Sequence, residues 1–229
     1  MVLRILVAMT LSYNDRLMRE LKSDLFGSVW RRDEQGRAFV LRDTSGARWW
    51  TAWLARWFCR REARALARLD GLPGTPRLIG ADAKGLRREW IEGRPMQLAR
   101  PRNPEYFRAA QRLVSALHRR GVAHNDLAKE PNWLVTPTGK PAILDFQLAM
   151  VSARRGKLFR ALAREDLRHL LKHKRSYCAA RLTARERRIL ETPAAFTRMW
   201  MASGKPVYVF VTRRLLGWAD REGAGDRRF

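Results

Sequence analysis

One stretch of about two dozen residues constrains this chain more than anything else in it: His124-Asn125-Asp126-Leu127-Ala128-Lys129-Glu130-Pro131-Asn132, then WLVTPTGKPAILDFQ. The apolar runs NWLVT and PAILDF are each too short for a helix, and Pro137-Thr138-Gly139-Lys140 divides them, which specifies a hairpin. Just upstream, EYFRAAQRLVSALHRRG repeats apolar residues at Phe107, Ala110, Leu113, Val114 and Leu117, the spacing of a buried helix face, and Gly121 stops it. Helix, loop and hairpin together set Asp126, Asn132 and Asp145 on short loops beside strands. Taken singly, Asp126 reads as a turn cap and Asn132 as the start of a strand. Taken jointly they supply oxygen ligands for a hard divalent ion and a carboxylate for an incoming hydroxyl, the inventory of phosphoryl transfer.

Ahead of this stretch the sequence reads as a small sheet with one helix. LKSDLFGSVWRRDEQGRAFVLRD, from Leu21 to Asp43, holds two β-prone runs around Glu34-Gln35-Gly36. ARWWTAWLARWFCRREARALARLDG, from Ala47, has no Pro and no internal Gly, and stops at Gly71 with Pro73 behind it, which predicts a helix. TPRLIGADAKGLRREWIEGRPM reads as two strands parted by Asp82-Ala83-Lys84-Gly85 and ended by Gly93 and Pro95. After Lys157 the text is helical in character as far as Trp218, with Val207 to Val211 readable as the core of a last helix or as a strand. The expected divisions are an N-terminal extension (1–19), a mixed small lobe (20–95), a mostly helical large lobe (96–220) and a disordered tail (221–229). MVLRILVAM, broken by Arg4 and followed by polar residues, reads as neither signal peptide nor membrane span. A start at Met9 or Met18 is the plainer account of it.

The order His118, His124, Asp126, Asn132, Asp145-Phe146 resembles the catalytic loop and metal-binding segment of the protein-kinase-like superfamily. The nearest likeness is to the compact bacterial RIO-like and lipopolysaccharide core (Kdo/heptose) kinases, and it covers residues 20 to 218. The resemblance implies an α+β, two-lobed fold, ATP and Mg²⁺ as cofactors, and γ-phosphate transfer to an alcohol. It implies that Asp126 orients the acceptor hydroxyl as base, that Asn132 and Asp145 hold Mg²⁺, and that His124 braces the loop. KSDLFGSVWR sits where the phosphate-covering hairpin belongs, so the amides of Phe26, Gly27 and Ser28 are expected to cradle phosphate. Glu62 matches the helix glutamate that pairs the strand-three cation, Glu89 to Ile91 the hinge that meets adenine through main-chain groups, and Asp166 the buried acid beneath the catalytic loop.

Departures from the family pattern bear on activity and acceptor. Gly27 stands alone where three glycines are usual, and Arg42 occupies the lysine slot, where the two cations are not interchangeable. Either Arg42 pairs with Glu62 and reaches phosphate, or activity is weakened or lost. Gln147 follows Asp145-Phe146, one extra residue separates Asp126 from Asn132, and no Ala-Pro-Glu segment follows, so a peptide-docking segment is not expected. The acceptor thus moves toward a sugar hydroxyl of lipopolysaccharide inner core, with a protein serine or threonine as alternative. A catalytically weak pseudokinase acting as a binding module is the second alternative.

Charge agrees with an anionic partner. Lys plus Arg total 47 against 22 Asp plus Glu, a formal charge of +25, which favours a phosphorylated sugar or glycolipid acceptor and peripheral contact with the inner membrane's anionic cytoplasmic face. Arginine supplies 39 of the 47, a bias that a GC-rich genome also produces, and no specific nucleic-acid motif accompanies it. Cys59 and Cys178, far apart, suit a reducing, cytoplasmic compartment. Trp49, Trp50, Trp53 and Trp57 with flanking arginines have the composition of an interfacial membrane helix, but an inward-pointing Glu62 on that helix favours packing of the tryptophans on the sheet. His169, His173 and Cys178 have a spacing that begins a metal site, with no fourth ligand in view. No Ser/His/Asp or Cys/His nucleophile arrangement, Walker loop or paired Cys-x-x-Cys knuckle is present, so hydrolase and zinc-finger readings drop out.

Overall fold

The structure, a computed structural model, describes residues 18–34 and 36–191; the expectations for the N-terminal extension up to residue 17, for the Val207–Val211 region and for the tail lie outside them. It is a mixed α+β protein. Strands β1 (Met18–Asp24), β2 (Gly27–Glu34), β3 (Arg37–Asp43), β4 (Leu78–Ala81) and β5 (Gly85–Glu89) form one antiparallel sheet in the order β1-β2-β3-β5-β4. Met18 and Arg19 pair with Arg32 and Arg31, so the sheet begins before residue 20. Glycine governs the approach to the end of β3. A Cβ on Gly27 would lie 2.1 Å from the Asp43 carbonyl oxygen, and one on Gly85 only 1.9 Å from that of Arg42. Both neighbouring strands therefore close on Arg42 and Asp43 because they carry no side chain there.

Helix α1 (Ala52–Arg68) starts five residues later than its composition suggests. Residues 43–51 form turns of their own: the Ser45 amide donates to Asp43 Oδ1 (2.8 Å), the Ala47 amide to the Thr44 carbonyl (3.1 Å) and the Thr51 amide to the Arg48 carbonyl (2.9 Å), while the Thr44 hydroxyl is anchored on the Lys84 carbonyl (2.7 Å). Thr51 does not cap the helix; its hydroxyl donates to the Leu25 carbonyl at 2.5 Å, tying the β1–β2 turn to the helix start. Ala55, Cys59, Glu62, Ala65 and Leu66 form the buried face. These mostly small residues take the side the tryptophans were expected to fill, and Trp49, Trp50, Trp53 and Trp57 are all exposed.

The remainder comprises β6 (Arg94–Pro95), α2 (Met96–Ala99), α3 (Pro104–Arg119), β7 (Val122–Ala123), β8 (Trp133–Val135), β9 (Pro141–Ile143), β10 (Met150–Val151), α4 (Lys157–Cys178) and α5 (Ala184–Glu191). β6, β8 and β9 form a second antiparallel sheet, and β7 pairs with β10. Since β6 pairs with β8, Arg94 and Pro95 belong to this second sheet. Asn103 caps α3 by accepting from the Glu105 amide (2.9 Å), with Pro104 next in line. The face buried is the one the sequence names, Phe107, Ala110, Leu113, Val114 and Leu117. Around it the core gathers Leu66, Leu69, Met96, Trp133, Ile143, Phe146 and Leu170. Among the described residues no helix is long and apolar enough to cross a membrane. Replacing Gly85 with Ala should cost on the order of 2 kcal/mol or more, because the methyl group meets backbone rather than a side chain that yields. Urea unfolding midpoints of wild type and Gly85→Ala measure it.

Candidate active site

Helix α4 builds the floor of the site. Asp166, Asp-buried at 1% exposure, accepts from the His124 amide (2.7 Å), the Asn125 amide (2.9 Å) and His118 Nε2 (3.1 Å). Three donors on one carboxylate satisfy it without solvent and fix the entry to the loop. Seven residues on, His173 Nε2 donates to the Leu127 carbonyl (2.8 Å), which the Trp133 indole N–H also reaches at 3.2 Å. Four further on, the Tyr177 hydroxyl donates to Glu130 Oε2 (2.7 Å). Spacings of seven and four keep Asp166, His173 and Tyr177 on one helix face, so a single stripe holds residues 124–130. His173 is thus a loop support rather than a ligand, and Cys178 Sγ contacts the Arg102 carbonyl (3.3 Å). No group of three or more His, Cys, Asp or Glu among the described residues is arranged for a metal, so the His169–Cys178 spacing does not become a zinc centre.

Within the loop, His124 is fully buried and its hydrogen bonds set its tautomer. Nδ1 accepts the Asp126 amide (3.3 Å), which leaves Nε2–H to donate to the Leu144 carbonyl at 2.9 Å, next to Asp145. Asn132 Nδ2 donates both to the Asp126 carbonyl (2.9 Å) and to its Oδ2 (3.0 Å), and Lys129 Nζ lies 3.3 Å from the same oxygen. The Leu144 amide donates to the Asn132 carbonyl at 2.9 Å, so the hairpin brings Asp145 back beside Asn132. Burial raises the Asp126 pKa, against the pull of Lys129 and Asn132. Asp145 and Asn125 have left-handed backbones, with φ of 62° and 66°, a conformation that Asn and Asp tolerate better than most residues.

Above the loop lies a buried cluster of charge. Glu62, with 0% exposure, stands between Arg88 Nε at 3.1 Å and Arg42 Nε at 3.4 Å. Both contacts lie off the hydrogen-bond line, so the carboxylate is held by charge more than by aligned donors. Burial works against the charge on Arg42, but Glu62 and Asp145 outweigh it and raise its pKa; on Arg88 burial prevails and lowers it. Burial likewise opposes ionisation of Asp145, but Arg42 and Arg88, with the Gln147 amide at 2.7 Å, hold it below the usual carboxylate range. The departure at Gln147 thus supplies a hydrogen bond to Asp145. Cys59, one turn before Glu62, is pushed up to about 11 by burial and stays a thiol at neutral pH.

Other expected residues are placed differently. The Phe26 amide already donates to Asp24 Oδ1 (2.8 Å), and Asp24 puts a carboxylate at the hairpin tip, so of the three amides expected to cradle phosphate that of Phe26 is engaged. Gly27 has φ of 113°, and Ser28 Oγ sits 3.1 Å from Ser23 Oγ. The Glu89 and Trp90 amides donate to the carbonyls of Arg77 and Ala38 at 2.9 and 3.1 Å. Glu89 and Ile91 line a cavity of about 970 Å³ shared with α3 and the β8–β9 turn. Sequence reading missed Lys129 and Arg88. Lys129 was legible as a cation between two site residues; Arg88 was hidden in an arginine-rich strand where only the register, opposite Val40, shows that it points inward.

Asn132 and Asp145 together offer a carboxylate held ionised and an amide oxygen. That set fits Mg²⁺, which takes few protein ligands and completes its shell with phosphate oxygens and water. No family model and no curated protein matches this chain.

Two carboxylates here have opposite signs of linkage. The depressed pKa of Asp145 means that its ionised form contributes stability above its unfolded value of about 4, lost as pH falls through the lower folded value. The raised pKa of Asp126 is a cost at neutral pH, relieved as pH falls. At pH 7 Asp145→Asn should therefore unfold at lower urea than wild type and lose part of the acid-side slope, while Asp126→Asn should unfold at higher urea. Glu62→Ala leaves two buried guanidinium groups without their partner and should cost about 3–5 kcal/mol by the same measurement.

Proposed function

We propose that this chain has a two-lobed, protein-kinase-like fold and is a phosphotransferase that uses ATP and Mg²⁺ to phosphorylate an alcohol, foremost a sugar hydroxyl of lipopolysaccharide inner core, as a peripheral protein of the cytoplasmic face of the inner membrane. The observation that carries this reading is the convergence of Asp126, Asn132 and Asp145 beneath the Arg42–Glu62 pair. Each residue has work in the reaction. Asp126 Oδ2 is committed to Asn132 and Lys129, which leaves Oδ1 for the acceptor hydroxyl, and burial makes it a stronger base than an exposed aspartate. As the acceptor oxygen bonds to phosphorus, its proton passes to Asp126 and ADP leaves with the bridging oxygen. Lys129 offsets charge building at that point, and Asn132 with Asp145 would hold the metal. The metal when bound would supply charge neutralisation for the phosphoryl group in transfer.

A second reading is favoured by the hairpin. With the Phe26 amide donated to Asp24, and Arg42 turned to Glu62, the parts that grip phosphate are partly engaged inside the protein, which supports a weak or silent pseudokinase serving as a binding module. A RIO-like protein serine/threonine kinase remains the alternative acceptor class. Incubation with γ-labelled ATP, Mg²⁺, deacylated inner-core oligosaccharide and a mixture of generic protein substrates separates these. Label on the oligosaccharide, with kcat lowered about 10²- to 10⁴-fold in Asp126→Asn, is the expected result. Label on protein moves the acceptor to the alternative; a silent wild type that Arg42→Lys revives supports the pseudokinase; silence in both rejects the catalytic reading.

A further inference from the structure

We propose that the tryptophans and arginines of α1 and of the turn that leads into it dock this protein on the surface of an anionic phospholipid membrane. Trp49 is 89% exposed, Trp53 67%, Trp57 43% and Trp50 36%. At about 100° per residue, Trp53 and Trp57 share an arc with Arg56, Arg60 and Arg64, all exposed. From Ala47 to Arg61 there is no Asp or Glu. Tryptophan in place of Leu or Ile marks a surface that meets an interface, since the indole has an apolar body and a polar N–H, while arginines beside it reach headgroup phosphates. The same charges argue against a second copy as the occupant. A two-fold contact would set the arginines of this face against themselves. An anionic lipid surface satisfies both halves of the patch, apolar area into the interface and about 1 kcal/mol per arginine from the surface potential.

The face is wired to the site. The Arg61 guanidinium stacks on the Trp57 ring at 4.4 Å and donates to the carbonyls of Leu148 (3.0 Å) and Ala149 (2.9 Å). Asn125, next to Asp126, donates to that same Leu148 carbonyl at 3.0 Å. Leu148 itself is 38% exposed and extends the apolar patch toward the loop. Docking by this face therefore brings the Asp126 loop near the lipid headgroups, where a lipid-borne acceptor would be met. The docking itself does not rest on the phosphotransferase reading.

The test uses the full chain without nucleotide, and vesicles of phosphatidylcholine alone or mixed equally with phosphatidylglycerol, carrying brominated acyl chains. Wild type should bind the mixed vesicles, keep binding at a salt concentration that screens surface charge, and show bromine quenching of its tryptophan fluorescence. Trp49→Ser/Trp53→Ser removes only exposed side chains, so it should keep the wild-type unfolding midpoint, lose at least about tenfold in vesicle affinity, and lose most of the quenching. Binding without quenching, equal in both proteins and abolished by salt, is a charge encounter and overturns the proposal. Absence of binding also overturns it, as does a wild-type dimer that the double variant splits. Because wild-type quenching is read independently, a misfolded variant does not leave the question open.

Discussion

Glu62 has no solvent at all and two arginines for company, and much of the rest hangs on that arrangement. A buried carboxylate without partners is prohibitively costly, so the helix that carries it must lie where β3 presents Arg42 and β5 presents Arg88. Those strands in turn are brought together at Gly85, where a side chain would strike backbone. The same two cations hold Asp145 ionised from across the site. One charge cluster therefore joins the sheet, helix α1 and the turn that carries Asp145.

The second support works by hydrogen bonds rather than net charge. Asp166, His173 and Tyr177 project from one stripe of α4 and hold carbonyls, amides and a carboxylate of the 124–130 loop. The loop is short, rich in polar groups and internal, so without that stripe its backbone would lack partners. Leu148 links the two supports, since its carbonyl accepts from Arg61 on α1 and from Asn125 in the loop. A shift of α1 at its outer, tryptophan-bearing face thus bears on residues beside Asp126 through one shared oxygen.

Local patterning made a large part of this legible. The α3 face, the hairpins, and the convergence of Asp126, Asn132 and Asp145 all follow from periodicity and turn chemistry, which act over a few residues. What was not legible depended on partners distant in sequence. Because Glu62 must point inward, sequence reading sets the tryptophans in and just before α1 on the sheet, yet small residues beside Glu62 form the buried face, let the helix sit close to the sheet and leave the rings outside. The spacing of His169, His173 and Cys178 is local information and says nothing of what His173 does, since its partner, the Leu127 carbonyl, is far away in the chain. Arg88 resembles every other arginine here until strand register turns it inward. The start of α1 moved because residues 44–51 are taken up in separate turns, with the Ala47 amide on the Thr44 carbonyl and the Thr51 amide on the Arg48 carbonyl.

Kept ionised by Arg42 and Arg88, Asp145 is proposed to complete a site for a metal-bound nucleotide. Thermal unfolding of wild type and Asp145→Ala, each with and without ATP and Mg²⁺, addresses it without knowledge of the acceptor. Stabilisation of the wild type by nucleotide only when Mg²⁺ is present, and none in Asp145→Ala, is the predicted result. An unchanged wild type at millimolar nucleotide and metal, or equal stabilisation of both proteins, would contradict it.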